Sequence, residues 1–392
     1  MGRVTGRYEV TIAGGESVRA FVPDPLPPAN PALDLSRLDA RLRAAEQGLA
    51  RLDVAAAMVP SLDWFIYAFV RKEAVISSQI EGTQATLVDL LNYEASEAVA
   101  ETIQPTADVE EICNYVDALT FARGQLVDPT APPLSMRLLN ATHSRLMRGV
   151  RGATKLPGEI RRSQNWIGGS RPGNASFVPP PPHLLPDGLA ALERYIHTED
   201  GLPPLIRAGL VHVQFETLHP YLDGNGRIGR LLVSLLLEHW KLLARPLLYL
   251  SLFFKRHRAE YYRRLSRVRT DGDWEAWLDF FLDGVATIAD EAVATARDLF
   301  GLIAADRERL LARAEIAVAA VRLFERLPTS PIVTTSSVMR LLDTTRPTAG
   351  RAIDALVDAG VLVETTGRRR DRSFVYDAYL KRLREGTELD QT

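Results

Sequence analysis

His219-Pro-Tyr-Leu-Asp-Gly-Asn-Gly-Arg-Ile-Gly-Arg230, followed at once by the apolar run Leu231 to Leu237, decides how the rest of the chain is read. It reads as a loop feeding the start of a helix. Gly224 and Gly226 bracket Asn225, which allows positive φ there without steric cost. Ile228, Leu231, Leu232, Leu235 and Leu236 recur at helical spacing, so the helix behind the loop is expected in a core. N–H groups gathered in such a turn, with the positive end of the helix dipole behind them, make an anion site.

The side chains of the stretch fit that reading. Arg227 and Arg230 lie three apart, on neighbouring positions beside the anion loop. Asp223 offers a hard oxygen ligand suited to Mg²⁺ held between a carboxylate and phosphates. His219 is the one side chain in the run whose ordinary pKa suits general-base work near neutral pH. The glycine spacing excludes two other phosphate motifs. It is neither a P-loop, which needs Lys-Ser/Thr after its last Gly, nor a GxGxxG fingerprint.

The stretch resembles the signature of the Fic family, His-Pro-Phe-x-Asp/Glu-Gly-Asn-Gly-Arg-x-x-Arg, with Tyr221 where Phe is usual. The resemblance implies transfer of AMP from Mg·ATP to a hydroxyl of a protein (AMPylation), with His219 as the base and Asp223 as the metal ligand. It implies a nucleotide cradle of Gly224, Asn225, Gly226, Arg227, Ile228, Gly229 and Arg230, with Arg227 toward the β-phosphate and Arg230 toward the γ-phosphate. A kinase-like branch carries Lys where Gly226 stands, so Gly226 favours AMP transfer. Tyr261 and Tyr262, in a basic helical segment from Lys255 to Arg269, are the residues expected at the adenine.

The whole chain sets wide bounds. Its 392 residues suffice for two or three domains, and 46% hydrophobic with 24% charged residues is a globular composition. The net charge of −2 leaves no global footprint for nucleic acid, and the excess of Arg over Lys runs the length of the chain as a compositional bias. One cysteine, Cys113, excludes an internal disulfide and fits a reducing compartment. Leu231 to Leu237, the longest apolar stretch, is far short of the ~20 residues of a membrane span. With no targeting segment visible, a cytoplasmic location is expected.

Taken in order, the chain opens with an edge-strand pattern at Tyr8–Ile12 and a proline-rich wrap from Phe21. Leu62, Ile66, Phe69, Val70, Ile76 and Ile80 then mark a long helix ended by Gly82. Ser77-Ser-Gln-Ile-Glu81-Gly82 matches the family's inhibitory pattern. The resemblance implies that Glu81, on a face shared with Ser77, occupies Arg230 and holds transfer back, in cis or across a homodimer. Residues 155–182 read as a hairpin around a Gly/Pro/Asn turn, similar to the family's flap. There Ile160, Arg161, Asn165, Trp166 and Ile167 would present a target by strand pairing.

Residues 286–313 read as a connector helix. Beyond them, three helical patterns and a hairpin with a basic tip, Arg368–Arg370 and Arg372, resemble a winged helix. The expected fold is mainly α: a Fic-type helical bundle with a β-hairpin flap, plus a small C-terminal winged-helix (α+β) domain. The expected divisions are an N-terminal region 1–105, a catalytic core 106–285, the connector, and the winged helix 314–385. The expected function is AMP transfer to Ser, Thr or Tyr of a protein, with self-modification, using ATP and Mg²⁺. Removal of AMP by the same site stays open. A rival reading is a nucleotide-sensing transcriptional regulator that binds DNA through 330–376.

Overall fold

A computed structural model describes residues 3–57, 62–97, 104–313, 316–367 and 372–389. Two helices buried on nearly every side position the site. In α7 (Pro204–Leu218) every residue from Leu205 to Leu218 is buried. In α8 (Asn225–His239) burial runs from Arg227 to Leu237. Both helices are core elements that bury polar side chains with the apolar ones, among them His212 and Glu216 in α7 and Arg227 and Arg230 in α8. The two approach closely at Gly229, where a Cβ would stand 2.2 Å from Glu216 Oε1.

The chain forms two compact units. One comprises Met1–Arg51 and Asn114–Ala289, the other Leu52–Cys113 and Asp290–Thr392. The first holds a hairpin of β1 (Gly6–Ala13) and β2 (Glu16–Pro23). It also holds α5 (Met136–Leu146), α6 (Leu185–His197), α7, α8, α9 (Ser251–Arg256) and α10 (Arg258–Asp271). The second holds α2 (Leu62–Ile80), α3 (Leu87–Glu97) and the C-terminal elements. Three helices run from one unit into the other: α1 (Asp39–Ala57), α4 (Ala107–Val127) and α11 (Trp274–Leu311).

The C-terminal order is α12 (Val318–Arg326), β3 (Ile332–Thr334), α13 (Thr335–Leu342), α14 (Arg346–Asp358), β4 (Val363–Glu364) and β5 (Ser373–Val375). The strands pair antiparallel in the order β3-β5-β4. This is a winged-helix arrangement, followed by α15 (Asp377–Leu383). Thr334 accepts from Ser337 N–H at 3.1 Å and Ser337 Oγ accepts from Thr334 N–H at 2.8 Å, a capping box that starts α13. The tip residues Arg368, Arg369 and Arg370 lie outside the described residues.

Three expectations change. The proline-rich wrap begins later than Phe21, because Glu16–Pro23 is a strand turned by Gly14-Gly15. The connector is not a separate helix, since α11 is continuous over 38 residues from Trp274. Gly284 does not interrupt it; a Cβ there would meet the Phe253 ring at 2.7 Å, so its small size serves packing. The winged helix has a third strand, β3, too short for a period-2 pattern to register. No described helix is long and apolar enough to cross a membrane.

Candidate active site

Helix α7 ends at His219, which adopts the left-handed conformation (φ 49°) while its N–H bonds to the Phe215 carbonyl at 2.9 Å. Five residues later Gly224, at φ 77°, starts α8. A Cβ there would meet Met147 Sδ at 2.9 Å, so both conformation and space demand glycine. Gly226, expected to share this role, lies in the first helical turn without positive φ. The Asn225 side chain holds the loop shut. Its Oδ1 accepts from Tyr221 N–H (2.8 Å) and its Nδ2 donates to Tyr221 O (2.7 Å). Both ends of that amide are thus tied to the Tyr221 backbone, leaving one Nδ2 hydrogen and the backbone N–H as the donors of Asn225 not used in this pair.

Tyr221 is fully buried and stacks on His143, ring centroids 3.8 Å apart. Its hydroxyl, the atom that distinguishes it from Phe, donates to Asn140 Oδ1 at 2.8 Å. His143 Nδ1 accepts from Gly158 N–H (2.8 Å), so its Nε2–H donates to the Asp223 carbonyl (2.9 Å). Burial pushes this imidazole down to about 4. His143 thus ties α5, the base of the flap and the signature loop together in its neutral form.

Positive potential collects at the start of α8. Arg227 and Arg230 are 1% and 3% exposed, no side chain caps the helix, and its first turn holds no acid. Two buried guanidinium groups add to the positive end of the dipole there, and Arg227 stands 3.9 Å from the Asp223 carboxylate. The Asp223 carboxylate accepts from Gly224 N–H (2.8 Å) and from Lys155 Nζ (3.0 Å). Burial works to raise its pKa, but Lys155, the Gly224 N–H and Arg227 together hold it below the ordinary carboxylate value. It is therefore an ionised oxygen donor already facing two cations, Lys155 at 3.0 Å and Arg227 at 3.9 Å. Among the described residues no cluster of three acidic, His or Cys side chains could hold a metal alone. Mg²⁺ would accordingly need Asp223 together with substrate phosphates and water, its common mode of binding.

His219 keeps an edge at the surface, yet desolvation, with Arg161 and Arg269 adding repulsion, pushes its pKa down to about 3. Its Nδ1 is buried without a well-formed hydrogen bond; the Glu216 carbonyl is close enough only to raise the pKa slightly against these effects. The ring is neutral near pH 7, the form that can accept a proton.

Several expected residues have other places. Arg161 is 1% exposed and donates to the carbonyls of His219 (2.9 Å), Ser163 (3.2 Å) and Pro180 (2.6 Å), so it joins the flap to the signature loop and does not face a target. Asn165 Nδ2 reaches the carbonyls of Tyr221 and Leu222, both at 3.4 Å. Trp166 packs on Ala13, Val18, Ala20 and Val178. Ile167 makes a single antiparallel bridge with Phe177, and Ile160 is half-buried. Ile228 is fully buried, and Gly229 serves helix contact.

Tyr261, buried, stacks on Phe254 at 4.5 Å and donates to His212 Nε2 at 2.8 Å. Tyr262 is 43% exposed and is the surface member of the pair. In the second unit Ser77 is buried and Glu81 half-buried in the turn that closes α2. Gly82 follows at φ 98°, the terminator the sequence predicts. Gln79, inside the inhibitory pattern, donates to Ala85 O (3.0 Å) and Thr387 O (2.8 Å). His143, Lys155 and Arg269 escaped sequence reasoning, since no motif marks them and only the fold brings them to the loop.

The buried imidazoles make a pH prediction. His212, fully buried between Gly229 O and the Tyr261 hydroxyl, is pushed down to about 3, and His143 to about 4, against 6.5 in the unfolded chain. With both folded values depressed, the unfolded chain takes up the protons first. Stability is full above pH 6.5 and is lost as the pH falls toward 4, at about 1.4 kcal/mol per pH unit for each group. Urea unfolding at pH 6.5, 5.5 and 4.5 should show this decline; a constant unfolding free energy would contradict it.

Comparison with known proteins follows the same lines. The Fic/DOC family N-terminal model matches residues 40–123 and the Fic/DOC family model residues 133–237. A probable protein adenylyltransferase of Aquifex aeolicus is 24% identical over 45% of this chain and 50% of its own length. The protein adenylyltransferase Fic of Drosophila ananassae is 32% identical over 32% of this chain and 23% of its own. These matches therefore span half or less of each relative. A crystal structure of a Fic family protein from Desulfovibrio desulfuricans aligns over 88% of this chain and 97% of that one, with TM-score 0.55 and 20% identity, which shows the fold. By the two family matches and the signature within the second, residues 40–123 and 133–237 of this chain belong to the Fic/DOC family.

Proposed function

We propose that the protein transfers AMP from Mg·ATP to a hydroxyl of a protein target, and that Glu81 restrains it. The observation that carries this reading is the pair of buried guanidinium groups, Arg227 and Arg230, at the uncapped start of α8. A polyphosphate is an anion that guanidinium groups at this place can hold, and the N–H groups of the first turn are directed donors for it. Asp223, ionised and facing Lys155, would hold Mg²⁺ with the phosphates. Bound there, the metal would neutralise charge developing on the polyphosphate.

In this mechanism His219 takes the proton of the target hydroxyl while its oxygen bonds to the α-phosphorus, and the bond to pyrophosphate breaks. The low basicity of His219 is set by desolvation and by Arg161 and Arg269. A polyphosphate bound beside the loop offsets that positive field and raises the basicity of the ring when it is needed. Asn225 and His143 act earlier, keeping the loop in the shape that aims the N–H groups.

The brake is the part that rests on sequence pattern. Glu81, closing α2, would compete for Arg230 and so misplace the γ-phosphate. Label transfer from ATP carrying ³²P at the α-position tests both parts. Self-labelling or target labelling should rise severalfold in Glu81→Gly over wild type. No α-label in either form, with ATP binding intact, would refute transfer; equal labelling in the two would refute the brake. Label from the γ-position would mean that phosphate rather than AMP is moved.

A further inference from the structure

The N-terminal hairpin leaves one strand edge open. Phe21 N–H bonds to Val178 O (2.9 Å) and Asp24 N–H to Thr5 O (2.8 Å). With the register Tyr8↔Phe21, these bonds mean that the odd residues of β1 pair with β2. Gly6, Tyr8, Val10 and Ile12 therefore turn their N–H and C=O groups outward. No hydrogen bond among the described residues reaches those of Tyr8, Val10 or Ile12. The strand exposes the apolar side chains of Tyr8 (49%), Val10 (75%) and Ile12 (73%), and Val4, just before it, is 74% exposed. Its start is anchored, with Arg3 paired to Glu275 at 2.8 Å and Thr5 Oγ1 bonded to Val268 O at 3.1 Å. Such an edge is a template for another strand, and no Lys or Pro protects it.

The sequence of the edge says which strand fits. Val4-Thr-Gly-Arg-Tyr8-Glu-Val-Thr-Ile12 is close to a chemical palindrome about Tyr8. Placed antiparallel to a second copy with Tyr8 opposite Tyr8, Val4 meets Ile12 and Gly6 meets Val10 on the apolar face. On the other face Arg7 meets Glu9 twice and Thr5 meets Thr11. The parity is correct, because in this register every outward N–H and C=O meets an outward partner. Centring on Val10 keeps the parity but sets Arg7 against Ala13 and Glu9 against Thr11, losing both ion pairs.

We propose that β1 pairs with β1 of a second copy about Tyr8, giving a sheet in the order β2-β1-β1-β2 across a twofold axis. This proposal is independent of the chemistry at His219. A single strand pair is smaller than a standard interface, so the association is expected to be weak and concentration-dependent.

Sedimentation equilibrium of the full chain, from low to several hundred micromolar, tests it. The mass should rise from 43.4 kDa toward twice that value. Val10→Lys should weaken the dimer, and Arg7→Glu and Glu9→Arg should each weaken it about tenfold by setting like charges opposite. The double variant Arg7→Glu/Glu9→Arg should restore it. All three positions are on the open hairpin face or edge, and circular dichroism would report the fold unchanged. A chain that stays monomeric, a dimer indifferent to these variants, or a charge swap that fails to rescue would each overturn the proposal.

Discussion

His219→Asn is expected to lower AMP transfer by about 10²–10⁴-fold, the usual contribution of a general base, while ATP binding and thermal stability stay at the wild-type level. Asparagine is the informative replacement. His219 closes α7 with φ 49°, a conformation that alanine strains but asparagine accepts. A loss in His219→Asn therefore reports the imidazole and not the backbone. ATP binding should persist because the positive charge is supplied by Arg227 and Arg230, which this change leaves in place. Single-turnover labelling in the Glu81→Gly background, beside nucleotide titration, separates the two. The profile of kcat/KM against pH adds a second check. Because His219 is pushed down to about 3 in the free protein, the profile should show no acid limb near 6.5. Activity retained within a few fold would remove His219 from the chemistry.

Arg161→Leu is expected to destabilise the protein by about 3 kcal/mol, from charge-assisted hydrogen bonds lost to carbonyls that then stay buried. Arg161 donates to His219 O, Ser163 O and Pro180 O, and its own N–H bonds to Pro220 O at 2.9 Å. Pro180 O and the His219 backbone sit where water has little access, so they gain no substitute donor. Relief of the desolvated guanidinium, whose pKa burial lowers to about 10, offsets part of the cost. The same change removes a positive charge beside His219 and should move its pKa upward, so the acid behaviour of transfer shifts as stability falls. Urea unfolding monitored by tryptophan fluorescence gives the first quantity and the pH–rate profile the second. A loss below about 1 kcal/mol would show that the flap is held to the loop by something other than this side chain.

The sequence by itself determined what depends on neighbours along the chain. The Gly224 turn, the helical stripe from Ile228 to Leu236 and the stop at Gly82 are local, because backbone sterics and helical period act within a few residues. The order of the winged-helix elements was legible for the same reason, except for β3, whose three residues are too few for a period to show. The second strand of the N-terminal hairpin was missed because Pro23, its last residue, begins the proline run and made its end read as part of the wrap.

Only the tertiary structure decided which side chains meet the signature loop. His143 and Tyr221 are 78 positions apart and stack at 3.8 Å; Lys155 and Asp223 are 68 apart and pair at 3.0 Å. Nothing local to either partner encodes such a meeting. It also decided that Arg161 is a buried tie and Tyr261 a core ring, roles set by burial and not by residue type. The chemistry proposed for the site is local because an anion-binding turn needs only one turn of backbone. Its support is distant because a buried loop must satisfy its polar groups from whichever elements pack against it.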